Sequence, residues 1–248
     1  MIDLAAIYSV WLRDIIRSFR EKSRFLGSLA RPILWLVIMG TGLRPAFQGG
    51  GVDYLHFIFP GVIAMTLIFT ATQSAISIIW DREFGFLKEM LVAPIPRSSI
   101  VIGKALSGST TATMQGIITL LFAPFIGVKM SPLMIVEVLG LMFLISFALT
   151  SLGLVIASRM KSFEGFGTIS NFVVMPMYFL SGAIFPTAGL PLWLKSLIFM
   201  NPLSYGVDAM RKVILGLGSF PMALDLGFVA CFGVAMVGVA VPFFSREG

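Results

Sequence analysis

Residues 54–80 read YLHFIFPGVIAMTLIFTATQSAISIIW, a run of 27 residues without Asp, Glu, Lys or Arg. At a rise of ~1.5 Å per residue, about 20 mostly apolar residues cross the ~30 Å hydrocarbon core of a bilayer as an α-helix. Lipid offers no hydrogen-bond partner to the backbone, so a lipid-exposed segment of this kind must be helical. The stretch therefore predicts an all-α integral membrane protein.

The composition of the whole chain agrees, with 57% hydrophobic and only 12% charged residues. Soluble domains carry about 25% charged residues. Arg31 lies inside the first apolar window, but an arginine near a helix end can reach the headgroups. We predict one membrane domain over residues 1–248, with six transmembrane helices between residues 25 and 244. The predicted spans are 25–43, 56–79, 105–128, 138–158, 165–184 and 226–244.

The positions of lysine and arginine predict the orientation. Of the 18 Lys and Arg residues, 13 fall in segments on the same side as the N-terminus and 5 on the other side. Cytoplasmic segments are enriched in these residues, so both termini of this multi-pass protein are expected in the cytoplasm. The net charge of +6 then reflects topology and anionic membrane lipid, and no motif supports nucleic-acid binding.

Several chemistries are excluded by what the sequence lacks. Cys231 is the single cysteine and His56 the single histidine, so neither a disulfide nor a cluster of such metal ligands can form within the chain. The pair Gly103 and Lys104 has neither the upstream glycine loop nor the following hydroxyl of a phosphate-binding loop. We therefore predict no catalytic residue, no metal and no cofactor in this chain.

The N-terminal segment, residues 1–24, has the pattern of an amphipathic helix. Arg13, Arg17 and Arg20 share one face. Such a helix is expected to lie at the membrane interface with its basic face toward the cytoplasm, although an ordinary packed amphipathic helix fits the same pattern. The apolar residues on the opposite face are Leu4, Tyr8, Trp11, Leu12, Ile15 and Phe19.

Residues 80–97, WDREFGFLKEMLVAPIPR, form the most informative polar segment. Phe84, Leu87 and Leu91 fall on one helical stripe, and Arg82 and Glu89 fall on the other side. This pattern predicts a short amphipathic helix across the inner membrane face, ended by the two prolines that follow. Such a helix is suited to docking a partner, whereas a solvated loop remains the alternative.

The segment 186–222 is predicted to be re-entrant from the outer side. Its charge-free stretch 196–207 is too short to span the bilayer, and Pro186, Pro191 and Pro202 punctuate the region. A plain external loop is the alternative, but it would expose several large apolar side chains to water.

Other functional classes stay open on the residues alone. Glu137 is an acidic residue near a predicted span, and an intramembrane carboxylate would fit a secondary transporter driven by an ion gradient. Its position near Pro132 and Lys129 favours the interface instead. A membrane scaffold without transport is a third alternative.

Two motifs carry a family resemblance. Residues 81–104, with Glu83, Gly85, Glu89 and a closing Ile-Gly-Lys, resemble the cytoplasmic loop of type 2 ATP-binding-cassette (ABC) exporter permeases. The segments PLWL at 191–194 and NPLSY at 201–205, followed by Arg211, resemble that family's region before its last transmembrane helix. The family includes membrane subunits of drug-efflux, nodulation-factor and polysaccharide exporters. The resemblance covers nearly the whole chain in the family order.

The resemblance implies a non-catalytic permease subunit for ATP-driven export of an amphipathic or lipid-linked substrate. It implies a second permease, with a homodimer favoured, and separate ATPase subunits that hold ATP and Mg. The loop helix would seat in the ATPase, with Gly85 allowing close approach, and the N-terminal helix would brace it. The residues implied for ATPase coupling are Arg82, Glu83, Phe84, Gly85, Leu87, Glu89 and Leu91, and those implied for the outer gate are Trp193, Asn201, Pro202, Tyr205 and Arg211.

The charge distribution leads to a topology test with single cysteines in a Cys231→Ser background. Cysteines at Gln48 and Ser219 should react with an impermeant thiol reagent in intact cells, because both lie in predicted outer segments. Cysteines at Arg97 and Ser162 should react only after permeabilisation. The reverse labelling pattern would overturn the predicted orientation.

Overall fold

The computed structural model describes residues 2–20, 22–45, 53–86, 92, 94–160, 162–187 and 190–245. Within these ranges the regular structure is helical and contains no strand. The helices are α1 (Leu4–Arg20), α2 (Lys22–Gly42), α3 (Tyr54–Ser74), α4 (Ile76–Glu83), α5 (Arg97–Leu120), α6 (Pro132–Arg159), α7 (Phe163–Phe179), α8 (Leu192–Met200), α9 (Pro202–Leu215) and α10 (Met222–Ser245), with a 3₁₀ turn at Ala123–Ile126.

Four helical segments of the described chain are long and apolar enough to cross a bilayer. The all-α membrane fold predicted from the sequence is confirmed at that level. Two further predicted spans coincide with α2 and with α7, which has only 17 residues. The count of six spans therefore stays a prediction. The four segments are Tyr54–Glu83, Arg97–Ile126, Pro132–Arg159 and Met222–Phe244.

Two helices begin well before the apolar windows that predicted them. Helix α5 starts at Arg97, although its predicted window opens at residue 105, and α6 starts at Pro132 rather than at residue 138. Ser131 caps α6, since its hydroxyl accepts a hydrogen bond from the Met134 amide at 3.3 Å. Lys104 lies just before the apolar window of α5, and the helix extends through it toward the N-terminus. Its side chain is buried in the protein.

Helix α3 is the central element of the bundle and contains most of the opening stretch. Its residues from Phe57 to Ile68 are almost entirely buried, with Ile58, Phe59 and Leu67 fully enclosed. It packs against α2, α5, α6 and α9. A helix that is apolar on every face is stable only when neighbours or lipid cover every face, and here protein covers this part of it.

Helix α1 lies against the beginning of α5. The side chains of Ala6, Val10 and Asp14 are buried, whereas Leu4 and Tyr8 are exposed. A Cβ atom built on Gly103 of α5 would lie 2.9 Å from the Val10 Cβ and 3.0 Å from the Ile7 carbonyl oxygen. This position accepts only glycine if the two helices are to keep their distance.

Substituting Gly103 by alanine tests this packing. We expect Gly103→Ala to lower the midpoint of thermal denaturation in detergent, because overpacking costs about 1–3 kcal/mol while alanine returns about 1 kcal/mol of helix propensity. Gly140→Ala in α6 is the matched control, since its new methyl group would meet nothing within 4 Å. Equal midpoints for the two variants would contradict the close approach of α1.

Candidate coupling and transport site

A buried charge cluster joins three helices at one end of the bundle, which we call the basic end. The Lys104 ammonium lies 2.6 Å from the Asp81 carboxylate, 3.2 Å from that of Asp14 and 3.3 Å from the Ser77 hydroxyl. Lys104 and Asp81 are each 2% exposed. The members of the buried charge cluster are Arg13, Asp14 and Arg17 of α1, Asp81 of α4 and Lys104 of α5.

Each charged group of the cluster has an oppositely charged partner within it. Arg13 donates to Asp14 and to Asp81, both at 2.8 Å, and Arg17 lies 3.5 Å from Asp81. Burial alone would raise the pKa of Asp14, but the charges of Lys104 and Arg13 outweigh it and hold that pKa below its ordinary value. The pairing of Asp14 therefore stabilises the fold fully above its ordinary pKa of 3.8 and is lost as the pH falls through the lowered value.

The cluster changes the expected role of the N-terminal helix. Arg13 and Arg17 were expected to face the cytoplasm. Their side chains are only 38% and 37% exposed, respectively, and both are paired with Asp81. The bulky apolar residues Leu4, Tyr8 and Phe19 are the exposed ones. The helix therefore binds the bundle through these charged residues together with Ala6 and Val10, and presents Leu4, Tyr8 and Phe19 outward, as a helix at the membrane interface would.

Two arginines tether the loop that joins α4 and α5. Arg82 donates to the carbonyl oxygens of Met160 and Ser158, the latter at 3.4 Å, at the C-terminus of α6. Arg97 donates to the Phe244 carbonyl oxygen at 2.5 Å, at the C-terminus of α10. The last carbonyls of a helix lack partners within the helix and attract cations, so both contacts are favourable. Both ends of the loop are thereby attached to long helices of the bundle.

The structure describes only part of the predicted coupling residues. Arg82 and Glu83 form the last turn of α4, and Phe84 stacks on Trp80 with ring centroids 5.1 Å apart. Glu83 and Phe84 are exposed. Leu87, Glu89 and Leu91 lie outside the described residues.

Gly85 ends α4 for a backbone reason. Its φ angle is +80°, a value that residues with a side chain rarely adopt. A Cβ atom built there would meet no described atom of this chain within 4 Å. The glycine is therefore required by the turn, and a close approach to a partner stays a prediction.

At the opposite end of the bundle, side chains of α9 and of its capping residue Asn201 donate hydrogen bonds to the backbone at the end of α7. Asn201 donates to the Met177 carbonyl at 2.6 Å, Ser204 to that of Leu180 at 3.2 Å, and Arg211 to that of Gly182 at 2.7 Å. Each of these carbonyls lies where α7 ends or in the turn after it. Side chains of α9 thus supply the partners that the end of α7 lacks.

The predicted outer-gate residues are only partly brought together. Pro202 is the first residue of α9, and the Tyr205 hydroxyl donates to the Phe199 carbonyl at 2.9 Å. The guanidinium of Arg211 lies 4.2 Å from the centre of the Phe57 ring. Trp193 is separate from this group, because it lies on α8 and is 65% exposed.

Sequence reasoning missed a second ion cluster near this end. Lys212 lies 3.1 Å from Asp208 and 2.6 Å from Asp225, which is fully buried at the start of α10. Asp208 also accepts hydrogen bonds from the amides of Ser219 and Phe220. The signal in the sequence was the pair Asp208 and Lys212, four residues apart on α9. The third member, Asp225, comes from the next helix.

A cavity of about 370 Å³ opens beside the buried charge cluster. It lies between α3 and α4 on one side and α5 on the other, with α1 at its basic end and Pro32 of α2 also in contact. Its polar lining follows helical spacing on both sides, namely Thr66, Thr70, Gln73, Ser74 and Ser77 facing Ser107, Thr111 and Gln115.

The polar lining was readable in the sequence but was not recognised. Gly103, Ser107 and Thr111 follow one another at a spacing of four residues, a small-residue pattern that favours close helix packing. Of the three, only Gly103 packs in this way, since Ser107 and Thr111 line the cavity. The overlooked signal was a matching stripe of hydroxyl and amide residues on two charge-poor helices.

Three singled-out residues have simple environments. His56 bonds through Nε2 with the Ile126 carbonyl at 2.8 Å. Cys231 is exposed. Glu137 is exposed near the start of α6, away from the cavity lining.

A bundle of apolar helices with a polar cavity and a tethered loop at one end is the architecture of a membrane permease. Comparison with known proteins gives the same class. A family model described as ABC-2 type transporter matches residues 5–215. The chain belongs to this family of membrane transport permeases of ABC transporters.

The relatives match over almost the full length. The chain is 28% identical over 239 residues to Nodulation protein J of Rhizobium leguminosarum bv. viciae, an alignment that covers 95% of this chain and 90% of that protein. It is 27% identical over 251 residues to the inner membrane transport permease YadH of Escherichia coli (strain K12), covering 97% of this chain and 95% of that protein. The similarity therefore includes both ends of the bundle.

A double-mutant cycle tests the buried charge cluster. Lys104→Met and Asp81→Asn should each destabilise the protein by about 3–5 kcal/mol, because each leaves a buried charge without its partner. The double variant should lose less than the sum, with a coupling free energy of about 1–3 kcal/mol. Unfolding in mixed micelles measures the three values.

The exposed pair Arg44 and Asp53, 2.8 Å apart, is the control cycle. Its coupling free energy should stay below about 1 kcal/mol, because solvent screens both groups. Strictly additive effects at Lys104 and Asp81 would show that the cluster does not hold the three helices together.

Proposed function

We propose that this chain is the membrane-spanning subunit of an exporter in which a separate ATPase subunit hydrolyses ATP. In this proposal the chain forms six spans with both termini in the cytoplasm of a bacterial cell, and pairs with a second copy of itself. The basic end then faces the ATPase. The cargo is an amphipathic or lipid-linked molecule.

The tethering of the loop after α4 is the observation that carries this proposal. Arg82 and Arg97 attach its two ends to the C-termini of α6 and α10, and Asp81 attaches it to α1 and α5 through the buried charge cluster. A force applied at this loop therefore reaches four helices through buried or charge-assisted contacts. This is the connection that a permease needs if a partner's conformational change is to move its helices.

The exposed residues at the tip supply the docking surface in this proposal. Glu83 is exposed, and Phe84 and Phe86 are 62% and 55% exposed. A carboxylate flanked by aromatic rings suits a groove that offers basic groups and apolar surface. The α7–α9 contacts at the opposite end would form the outer gate, with Asn201 and Arg211 holding the turn at Gly182.

The alternative of an ion-driven transporter gains no support from Glu137. A proton or cation relay requires carboxylates in the bundle interior or along a water-filled path. Glu137 is exposed near the start of α6 instead. The buried acids of the second ion cluster, Asp208 and Asp225, are engaged by Lys212.

Charge reversal on the loop tests the coupling. Glu83→Arg and Glu89→Arg should reduce co-purification of the ATPase subunit and transport-linked ATP hydrolysis by tenfold or more, on the order of the several kcal/mol that like charges cost at an interface. The chain purified without that subunit should neither bind nor hydrolyse ATP. Membrane insertion should be unchanged, since no span is altered.

Glu137→Arg is the matched control, because it makes the same charge change at an exposed site on the opposite end of the bundle. It should leave ATPase association intact. Normal hydrolysis and transport in both loop variants, with the ATPase still bound, would refute the docking role. ATP hydrolysis by the isolated chain would refute the division of labour.

A further inference from the structure

We propose that the cavity between α3, α4 and α5 binds the uncharged, hydroxyl-bearing head of an amphipathic molecule, such as a glycoside on an alkyl chain. This inference rests on the proposed function, since it names the chemistry of the cargo. It places the binding site inside one protomer, next to the buried charge cluster. The argument depends on hydrogen-bond capacity, charge and volume.

The polar stripes require something polar in the cavity. Hydroxyl and amide oxygens on these helices have lone pairs that can accept further hydrogen bonds, and hydrocarbon offers them no donor. Gln73 is exposed toward the cavity, and Thr70, Ser74 and Thr111 are half-buried there. Water or a polar ligand must therefore fill the space, and 370 Å³ lies within the range of small-ligand pockets.

The hydroxyls lining the cavity are available mainly as acceptors. Thr70 donates its proton to the Gln115 side-chain oxygen, Ser74 to the Ala71 carbonyl and Thr111 to the Ser107 carbonyl. A hydroxyl that has donated its single proton still has lone pairs that can accept. Such a lining recognises a ligand that brings its own O–H donors, and the side-chain amide of Gln73 also lines the cavity.

An anionic head fits this wall poorly. Phosphate and carboxylate groups only accept, so they would meet the lone pairs of Thr70, Ser74 and Thr111. The adjacent ammonium of Lys104 has three protons and already has three partners, Asp81, Asp14 and Ser77. The three protons of Lys104 are therefore taken up by these partners. Arg17, a second cation of the described lining, lies 3.5 Å from Asp81 and 5.4 Å from the centre of the Trp80 ring, so it too is engaged by the protein.

A cationic head is also disfavoured. The carboxylate of Asp14 at the edge of the cavity is engaged by both Arg13 and Lys104. The members of the buried charge cluster carry three positive and two negative groups, so their field repels a further cation. An uncharged polar head is what remains.

The same cavity also has an apolar wall for the rest of the molecule. Met65 and Phe69 of α3, Pro32 of α2 and Ile76 of α4 line it. Met and aromatic side chains adapt to irregular apolar shapes. The polar residues of the lining therefore suit a hydroxylated head and the apolar residues an alkyl chain, which together define an amphipathic ligand.

Protection of a cysteine in the cavity tests the site. In a Cys231→Ser background, Thr111→Cys is alkylated with iodoacetamide in nanodiscs, with octyl glucoside, octyl phosphate, octyltrimethylammonium or octanol present below micellar concentration. Octyl glucoside should slow alkylation of this cysteine by about threefold or more, and the other probes should not. Ser196→Cys, on α8 outside the cavity, should be unaffected by any of them.

Loss of hydrogen-bonding groups provides a second readout. Gln73→Leu and Thr70→Val should each weaken the glucoside protection by about threefold to tenfold, the usual effect of one hydrogen bond. Thr41→Val on α2 is the control for the substitution itself, since Thr41 donates to the Val37 backbone carbonyl and does not line the cavity. If Thr111→Cys fails to fold, Ser74→Cys reports on the facing side of the same cavity.

Each other outcome overturns the inference. Equal or better protection by octyl phosphate or octyltrimethylammonium would show a site for charge, equal protection by octanol a merely apolar site, and no protection by any probe a cavity that holds water alone. Failure here, with ATPase association still dependent on Glu83, leaves the proposed function standing. If the wild-type chain does not co-purify with an ATPase subunit, the proposed function itself is rejected.

Discussion

The burial of the Lys104 ammonium is the constraint on which the basic end of this protein depends. A charge removed from water in a membrane protein must be paired at hydrogen-bond distance or its cost exceeds the stability of the fold. Asp81 and Asp14 meet that requirement from two other helices. Helix α1, the end of α4 and the start of α5 therefore have one mutual arrangement. Gly103, one residue before Lys104, lets α1 come close enough for this pairing.

The same rule, that polar groups away from water must be satisfied by the protein, organises both ends of the bundle. Arg82 and Arg97 supply partners to the last carbonyls of α6 and α10 at the basic end. Asn201, Ser204 and Arg211 do so for α7 at the other end. In a soluble protein water could satisfy these carbonyls. Here side chains from distant segments do it, so the helix termini are the points at which these elements are connected.

The polar cavity and the buried charge cluster are neighbours, and this has a mechanistic consequence. Asp14, Arg17 and Lys104 belong to both, and Ser77 and Trp80 connect the cavity wall to the last turns of α4. A change in the position of the loop after α4 would therefore alter the basic end of the cavity directly. Under the proposed function, docking of the ATPase and the fit of the cargo head are linked over a short path of contacts rather than across the whole bundle.

The sequence by itself determined that this is an all-α membrane protein with an amphipathic N-terminal helix and a polar loop after its central span. Charge-free length and helical periodicity are local properties, and the apolar character of residues 54–80 leaves no other structure in lipid. Its family resemblance was likewise readable from two motifs with their spacing. The tertiary structure decided what periodicity cannot contain. Arg13 and Arg17 turned inward because Asp81, far away in the chain, lies beside them. In the sequence Lys104 is only the charge that precedes the apolar window 105–128. In the fold it is the centre of the buried charge cluster. The cavity exists only because stripes on α3 and α5, each unremarkable alone, face one another.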